Sequence, residues 1–369
     1  MAMNILEECK ELMRIDSASG RERQIADVLK KKLESLGFDV REDAAGSSFG
    51  GSTGNLTAAL AGTRPGSVMF CSHMDRVSRG CGIRPQEKDG YLTSDGTTIL
   101  AADDVSGICA ILDGVRRTLA SGRPYPRIEV ALTVGEESGL YGGKFLDLSQ
   151  FRSGLCYVVD SPGPLGRIVS GAPGLARLTV TVTGRAAHAG NEPEKGINAA
   201  HILCHILDTL KDGRLDEETV ANFPVIRTGS EAVNIVCDSA WARGEARSRD
   251  PEKLRHYMEY FRQHCQKAAA GTGASVTAEA EISFSPFHIP ETAPVIQLAG
   301  QAFRKMGIAP RIEQGGGGMD ANIFNARGLP AIGIATGYTQ NHTLQEKLDL
   351  RSFLKSGEYI EILIACCKA

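Results

Sequence analysis

Two adjacent carboxylates, Glu136 and Glu137, are the residues of this sequence best suited by type and spacing to chemistry. They follow a β-branched, apolar segment, residues 128–134, that predicts a strand, and Gly135 breaks that strand. Where the backbone turns at a strand end, two consecutive side chains can face one site. Neighbouring carboxylates repel each other, so both ionise readily only when a cation is bound nearby. The pair therefore suggests that one glutamate ligates a metal ion and the other accepts a proton from metal-bound water. A lone Glu-Glu pair is more often a solvated loop edge, so the interpretation depends on its neighbours.

A histidine and an aspartate two residues apart close another predicted strand, residues 67–72. His73 and Asp75 share a face if the strand continues through them. A metal-ligating histidine usually donates its second ring N–H to a carboxylate, and the H-x-D spacing supplies both partners. The alternative for a lone histidine is a hydrogen-bonded core or surface residue.

Further carboxylates stand at the boundaries of two other predicted elements. Asp103 and Asp104 precede a helical pattern of apolar residues, where N-capping explains one aspartate more readily than two. Asp160 ends the apolar strand in LCYVVD and is followed by Pro and Gly. In open α/β sheets, sites lie outside the carboxyl ends of the strands. The positions of these aspartates therefore predict a metal-binding set of loops.

The tail supplies a second histidine, His342, after a predicted strand at residues 330–335. Two histidines and three carboxylates, without a thiolate, suit a pair of Zn²⁺, Mn²⁺ or Co²⁺ ions. The glycine run at 315–318 lacks the Lys-Ser/Thr that a phosphate-binding loop requires. This glycine run is more consistent with a segment whose backbone lies close to a bound substrate.

Length and composition restrict the classes of protein. A chain of 369 residues predicts two domains, and a net charge of −3 gives no electrostatic case for nucleic acid or an anionic membrane. The sequence has no apolar run long enough to cross a bilayer, and its acidic amphipathic start does not resemble a signal peptide. Ten scattered cysteines without a CxxC pair predict free thiols and a cytoplasmic location.

The elements around the candidate site fall into two patterns. Helices predicted at 4–15 and 21–36, with Gly37 as a stop, and strands with continuous apolar runs indicate an α/β domain. Between Asp160 and His342, two amphipathic helices and cleanly alternating strands indicate a small α+β layer. We therefore predict a discontinuous catalytic domain, residues 1–174 and 286–369, with a domain inserted at 175–285.

Several motifs in order carry a resemblance over essentially the whole chain. They are SHMD, ILAADD, TVGEESGLYGGK, VVDSPGP, GRAAHAGNEPEKGINAA, GEARS and GGGMDANIFNARGLP. In these residues the sequence resembles the co-catalytic di-zinc peptidases that include peptidase T (tripeptide aminopeptidase), carboxypeptidase G and the aminoacylases, with the peptidase T branch nearest. The resemblance implies a zinc-peptidase-like catalytic domain, a mixed sheet flanked by helices, with a ferredoxin-like lid that also forms a homodimer.

The resemblance also implies roles for individual residues. His73, Asp103 and Asp160 belong with one or other metal, and Asp103 bridges the two ions. Glu137 and His342 complete the second site, Glu136 is the general base that acts on a metal-bridging hydroxide, and Asp75 orients His73. His188 reaches the partner's active site, and Asn234 and Arg247 hold the substrate. From the residues alone, His188 could be a capped loop residue and Arg247 a surface ion pair.

The sequence departs from the family pattern in two places near the substrate side. Asp104-Val105-Ser106-Gly107 replaces the common Asp-Lys-Ala-Gly, and Gly318-Met319-Asp320-Ala321 replaces Gly-Ser-Asp-Ala. Neither change removes an expected ligand. Both bear on which substrate is used rather than on the chemistry.

The leading hypothesis is a metal-dependent aminopeptidase that removes the N-terminal residue of short peptides. An N-acyl-amino-acid amidohydrolase or a carboxypeptidase could use the same di-metal site. From other classes, a non-catalytic metal-binding or assembly protein is disfavoured because Glu136 accompanies all five ligands. A cysteine hydrolase built on Cys71 and His73 is disfavoured because the acidic cluster suits a metal better than a thiolate.

Overall fold

The structure, a computed structural model, describes residues 4–367. Its helices, labelled α1 to α10 in chain order, are Ile5–Met13, Arg23–Ser35, Ala102–Ala120, Tyr141–Phe145, Ala199–Thr209, Pro251–Ala268, Pro294–Lys305, Asp320–Ala326, Leu350–Phe353 and Ser356–Cys366. Its strands, labelled β1 to β18, are Asp39–Glu42, Leu56–Leu60, Ser67–His73, Gln86–Lys88, Tyr91–Thr93, Arg127–Thr133, Cys156–Ser161, Arg167–Ala172, Gly174–Thr183, Gly213–Arg214, Thr219–Thr228, Ser239–Ser248, Ser275–Phe284, Phe287–His288, Arg311–Gln314, Ala331–Ala335, Tyr338–Thr339 and Lys347–Asp349.

Two compact units divide the chain. The first contains the residues up to Gly171, His288–Gly315 and the residues from Met319 onward, and the second contains Ala172–Phe287 with Gly316–Gly318. Each unit has its own apolar core. The predicted fold class, a mixed α/β domain with an inserted α+β domain, is confirmed.

A nine-stranded mixed sheet organises the first unit. Its order is β1-β2-β6-β3-β7-β16-β8-β14, and β15 pairs with β8. At its centre β3 lies parallel to both β6 and β7, and β16 lies parallel to β7. Residues 68–73 of β3 are all buried, as expected for a parallel strand covered on both faces. The carboxyl ends of β3, β6 and β7 consequently point the same way.

Helices cover this sheet, and their ends follow local sequence signals. In α3 the apolar residues that predicted a helix, Ile108, Ile111, Leu112 and Val115, are buried in the core. The predicted stop after α2 is confirmed, because Gly37 adopts a left-handed backbone with φ 87°. A small sheet of order β17-β18-β5-β4 consists of strands of two or three residues. Such short strands carry little periodicity, and the sequence analysis did not predict them.

The second unit is a five-stranded antiparallel sheet of order β10-β11-β12-β9-β13, against which α5 and α6 pack. The predicted alternation in β9 is confirmed, since Leu178, Val180 and Val182 are buried between more exposed neighbours. Asp250 caps α6 by accepting hydrogen bonds from the N–H groups of Glu252 and Lys253. In the described part of the chain, no helix is long and apolar enough to cross a membrane.

Candidate metal centre

Chain topology gathers the predicted ligands of the first unit at one edge of the sheet. His73 is the last residue of β3, Asp160 is the penultimate residue of β7, and Glu136 and Glu137 follow β6 after a short turn. Asp103 lies in the first turn of α3, where its backbone is not yet helical. Because β3, β6 and β7 are parallel, their terminal side chains converge.

His73 lies at the centre of the cluster. Its Nε2 is 3.0 Å from Oδ1 of Asp103 and 3.8 Å from Oδ1 of Asp160. Two groups of side chains offer ligand atoms within 4.8 Å of one another, namely His73, Asp103 and Glu137, and His73, Asp104 and Asp160. The geometry therefore brings together four of the five predicted ligands and adds Asp104, which the sequence analysis considered but did not assign.

The carboxylate of Asp103 stands between two histidines. Its Oδ1 faces His73, whereas its Oδ2 is 3.3 Å from Nε2 of His342. His342 also lies 3.0 Å from Oε1 of Glu137, which brings the fifth predicted ligand into the cluster. Asn341 donates a hydrogen bond from Nδ2 to Oδ2 of Asp103 at 2.7 Å. One carboxylate oxygen directed at each histidine is the arrangement that a bridging ligand needs.

Burial and mutual repulsion shift the pKa values of the cluster. Burial, followed by the charges of Asp103 and Glu137, raises the pKa of Asp160 to about 8. Burial and the charges of Asp160 and Glu137 also raise the pKa of Glu136. Hydrogen bonds to Asp103 and Glu137 raise the pKa of His342 to about 10. A divalent cation relieves this accumulation of negative charge, and oxygen and nitrogen donors without thiolate fit Zn²⁺, Mn²⁺ or Co²⁺.

Asp75 contacts His73 through its backbone and the Glu136 turn through its side chain. Nδ1 of His73 lies 2.9 Å from the carbonyl oxygen of Asp75 and 3.6 Å from its carboxylate. The carboxylate accepts hydrogen bonds from the N–H groups of Glu136, at 2.9 Å, and Glu137, at 3.2 Å, and from the Ser19 hydroxyl, at 2.5 Å. A proton on Nδ1 directed at the carbonyl leaves Nε2 free to ligate a metal.

A tight turn presents the two glutamates. Gly135 has φ 59°, and a Cβ at this position would meet the Phe49 ring at 2.8 Å, so glycine is required there. The N–H of Gly135 donates to Oε1 of buried Glu22 at 3.1 Å, and Glu22 also accepts from Gly20 at 2.8 Å. Glu136 is 7 % exposed, which suits a base shielded from bulk water.

Sequence reasoning missed three residues that support the cluster. The Tyr338 hydroxyl donates to Oδ1 of Asp160 at 2.9 Å, and Asn341 donates to Asp103. The third, Glu346, accepts three backbone N–H groups from residues 100–103. All three lie in the stretch around His342, so their proximity in sequence to a proposed ligand was the available signal.

The Cys71 thiol is not suited to nucleophilic catalysis. It is fully buried, and burial together with the negative charge of Asp320 raises its pKa well above the ordinary value. Oδ2 of Asp320 accepts a hydrogen bond from this thiol at 3.6 Å and another from the Thr133 hydroxyl at 2.6 Å. A thiol beside a carboxylate stays protonated, which argues against the cysteine hydrolase alternative.

The predicted substrate residues belong to the second unit. His188 is exposed, and its Nδ1 accepts hydrogen bonds from the N–H groups of Gly190 and Asn191, so the proton of a neutral ring lies on Nε2. The loop that carries Asn234 pairs with this segment, because the Ala189 N–H donates to the Asn234 carbonyl. Arg247 forms an ion pair with Glu245, with 2.7 Å between Nε and Oε1. The substrate roles of His188, Asn234 and Arg247 stay predictions.

Comparison with known proteins identifies relatives over the full length. Residues 170–273 match the peptidase dimerisation domain of the M20 type, and residues 55–155 match peptidase family M28. The protein YqjE of Bacillus subtilis is 38 % identical over 361 residues, covering 98 % of this chain and 97 % of that protein. Peptidase T of Exiguobacterium is 26 % identical and covers 90 % of this chain and 88 % of its own.

Two crystal structures share both fold and sequence with the chain. The aminopeptidase PepT of Bacillus cereus is 36 % identical, with a TM-score of 0.87 and coverage of 98 % of both chains. A tripeptidase of Staphylococcus aureus is 33 % identical, with a TM-score of 0.91 and the same coverage. The resemblance inferred from the motifs is confirmed at the level of the family.

Proposed function

The chain belongs to the metallopeptidase family that contains peptidase T, and from this membership we propose that it removes the N-terminal residue of short peptides, tripeptides among them. The observation that carries the proposal is the Asp103 carboxylate, which directs one oxygen at His73 and the other at His342. This geometry supports a di-metal hydrolase rather than a single-metal binding protein.

We assign two divalent ions, Zn²⁺ first, to the cluster. His73, Asp103 and Asp160 would hold one, and Asp103, Glu137 and His342 would hold the other. When bound, such ions act as Lewis acids on the peptide carbonyl and lower the pKa of water at the site. The raised pKa values of the ion-free carboxylates support this assignment, because a cation stabilises their charged forms.

Glu136 performs the proton transfers in this proposal. Its carboxylate takes the proton of the attacking water and passes it to the leaving amine. The hydrogen bonds from the Glu136 and Glu137 N–H groups to Asp75 keep this turn in place, so Asp75 acts on the reaction through Glu136. The exposed Nε2–H of His188 would donate to the substrate carbonyl oxygen in the active site of the partner subunit as negative charge develops there.

Three finer assignments follow from the family and the sequence. The dimerisation-domain match supports a homodimer formed through the second unit. All ten cysteines are free, which supports a reducing, cytoplasmic location. The names of the relatives support short peptides as substrates, while N-acyl amino acids and peptides cleaved from the carboxyl end are the competing substrates for the same centre.

The decisive experiment compares the wild type with Glu136→Gln on a tripeptide panel, with bound metal counted in both. We expect the wild type to release the N-terminal residue, and the variant to retain two ions per chain while losing about 10²–10⁴ in kcat. N-acetylated tripeptides serve as the matched control, because an aminopeptidase requires the free amine. Rapid cleavage of the acetylated peptides would favour an amidohydrolase, and a wild type that binds no metal would refute the proposal.

A further inference from the structure

One buried carboxylate in the first unit has no place in the mechanism described so far. Glu346 is 1 % exposed and accepts three backbone N–H groups. Its Oε2 accepts from Leu100 and Ala101, both at 2.9 Å, and its Oε1 accepts from Asp103 at 3.1 Å. Hydrogen bonds from several N–H groups to one carboxylate are charge-assisted and stronger than neutral ones.

The backbone on the donor side forms a sharp turn. Ala101 has φ 59°, a left-handed conformation that is uncommon outside glycine. This turn brings the three N–H groups towards one point, which makes a concavity for an anion at the start of α3. Glu346 fills that concavity from a distant part of the sequence. The carboxylate thereby fixes the backbone of Asp103, whose side chain faces both histidines.

The loop on the acceptor side carries His342, four residues before Glu346. Within this loop the Thr343 hydroxyl donates to the carbonyl of Gln340 at 2.7 Å, and the Glu346 N–H donates to the carbonyl of Thr343 at 3.1 Å. These contacts limit how far His342 can move once Glu346 is anchored. Asn341 adds a second connection to Asp103 from the same loop.

We infer that Glu346 is a positioning residue that sets the spacing between Asp103 and His342 by joining the turn at 100–103 to the loop at 340–346. This role rests on the proposed function, because the spacing matters only if both side chains hold the second metal ion. Simple capping of α3 would account for the hydrogen bonds to the turn. Capping alone would not require that the carboxylate come from the loop that carries His342.

The chain offers a matched control for the variant Glu346→Gln. Glu129 is also fully buried, and its carboxylate accepts the N–H groups of Arg152 and Ser153, at 2.9–3.0 Å, near the other end of β6. Glu129 also pairs with Arg127, with 2.7 Å between Oε1 and Nε. Glu129→Gln therefore removes the same kind of carboxylate–backbone contact, and an ion pair besides, away from the cluster. Glu346→Asp, which keeps the charge but shortens the side chain, is the second variant if Glu346→Gln does not fold.

Two readouts test the inference, one of them without any metal. Hydrogen exchange of the ion-free protein reports whether Glu346 holds the turn and the loop together. It is followed in peptides that cover residues 99–104 and 340–346. Calorimetric titration with Zn²⁺ reports the two binding events separately. For Glu346→Gln we expect faster exchange in both segments and about 10–100-fold weaker binding of the ion assigned to Asp103, Glu137 and His342, with a smaller loss for the other ion, to which Asp103 is also assigned. Glu129→Gln is expected to leave both readouts at wild-type values.

The outcomes separate the inference from the function on which it rests. Faster exchange at 99–104 with unchanged Zn²⁺ affinity would show that Glu346 only caps α3. This result would overturn the inference and leave the proposed function intact. Equal loss of both ions, or the same loss in Glu129→Gln, would also overturn it, because the effect would then be general destabilisation. A wild type that binds none of Zn²⁺, Mn²⁺ and Co²⁺ would overturn the proposed function together with the inference.

Discussion

The side chain of Asp75 holds the backbone of Glu136. Its Oδ1 accepts the Glu136 N–H at 2.9 Å, while the Glu137 N–H and the Ser19 hydroxyl donate to its Oδ2. The imidazole of His73 meets the Asp75 carbonyl oxygen instead. One residue thus orients a proposed ligand with its main chain and the proposed base with its carboxylate.

Asp75→Asn is expected to lower kcat about 10²-fold while two metal ions stay bound. The Glu136 N–H faces Oδ1 and the Glu137 N–H faces Oδ2. In asparagine one of these oxygens becomes an NH2 group, which cannot accept a hydrogen bond, so one glutamate N–H loses its acceptor and the Glu136 turn shifts. The carbonyl contact to His73 does not depend on the substitution. Steady-state kinetics on a tripeptide, combined with metal analysis, would test this.

Ser19→Ala is the control for that prediction, since it removes one donor to Asp75 and leaves both glutamate contacts in place. We expect its kcat to stay within about tenfold of the wild type. If Asp75→Asn instead lost metal and kept the kcat of its remaining loaded fraction, the carboxylate would act on His73 and not on Glu136.

Tyr338→Phe is expected to weaken the binding of the ion held by Asp160 about tenfold. The hydroxyl donates to Oδ1 of Asp160 at 2.9 Å inside the core, and a contact to an outer partner of this kind orients a ligand. Zn²⁺ titration of the stripped protein measures the change. Tyr359→Phe, which removes a buried hydroxyl that donates to the Ala299 carbonyl, should bind both ions normally.

Strand ends made much of this centre predictable from the sequence. His73 and Asp160 lie at the carboxyl ends of apolar strands, and Glu136 follows a strand and a glycine, so the chain order alone places them at one edge of a parallel sheet. Tyr338 lies in a strand of two residues and Glu346 directly precedes one of three, and strands this short have no readable period. The backbone role of Asp75 was not predictable either, because a sequence does not state which atoms of a residue form a contact.

Removal of metal is expected to destabilise the first unit more than the second. The carboxylates that share the cluster repel when no cation is present, and burial makes this repulsion stronger. A ligand at a hundred times its Kd stabilises a folded protein by about 2.7 kcal/mol, so chelation should lower the first unit's melting temperature measurably. Differential scanning calorimetry with and without a chelator measures this, and Zn²⁺ should restore the original transition.

Acid should weaken the contact of Glu42 with Arg23. Burial alone would raise the pKa of Glu42. Two hydrogen bonds from Arg23, at 3.0 and 2.9 Å, with those of Thr53 and Gly54, outweigh burial and lower the pKa from 4.5 to about 2. A folded pKa below the unfolded one stabilises the protein above pH 4.5, and this stabilisation is lost as the pH falls towards 2.

Urea unfolding of the wild type and Glu42→Gln at pH 7 and pH 4 measures this loss. The difference in free energy of unfolding between the two proteins should shrink by about 0.5–1 kcal/mol at pH 4, because protonation of the unfolded chain has begun. The same comparison in an Arg23→Gln background should show a smaller change. A difference that grows on acidification would contradict the assigned sign.

His188 provides a test of the proposed dimer. If its Nε2–H serves the active site of the partner subunit, His188→Ala should lower kcat about 10²-fold or more, as loss of an oxyanion donor does. Mixing His188→Ala with Glu136→Gln under subunit exchange should then recover about a quarter of the wild-type activity, because half of the dimers hold one complete site. His201→Ala, an exposed histidine on α5, is the control and should keep full activity. Mixtures without recovery, from variants that still form dimers and exchange subunits, would show that His188 does not act across the dimer.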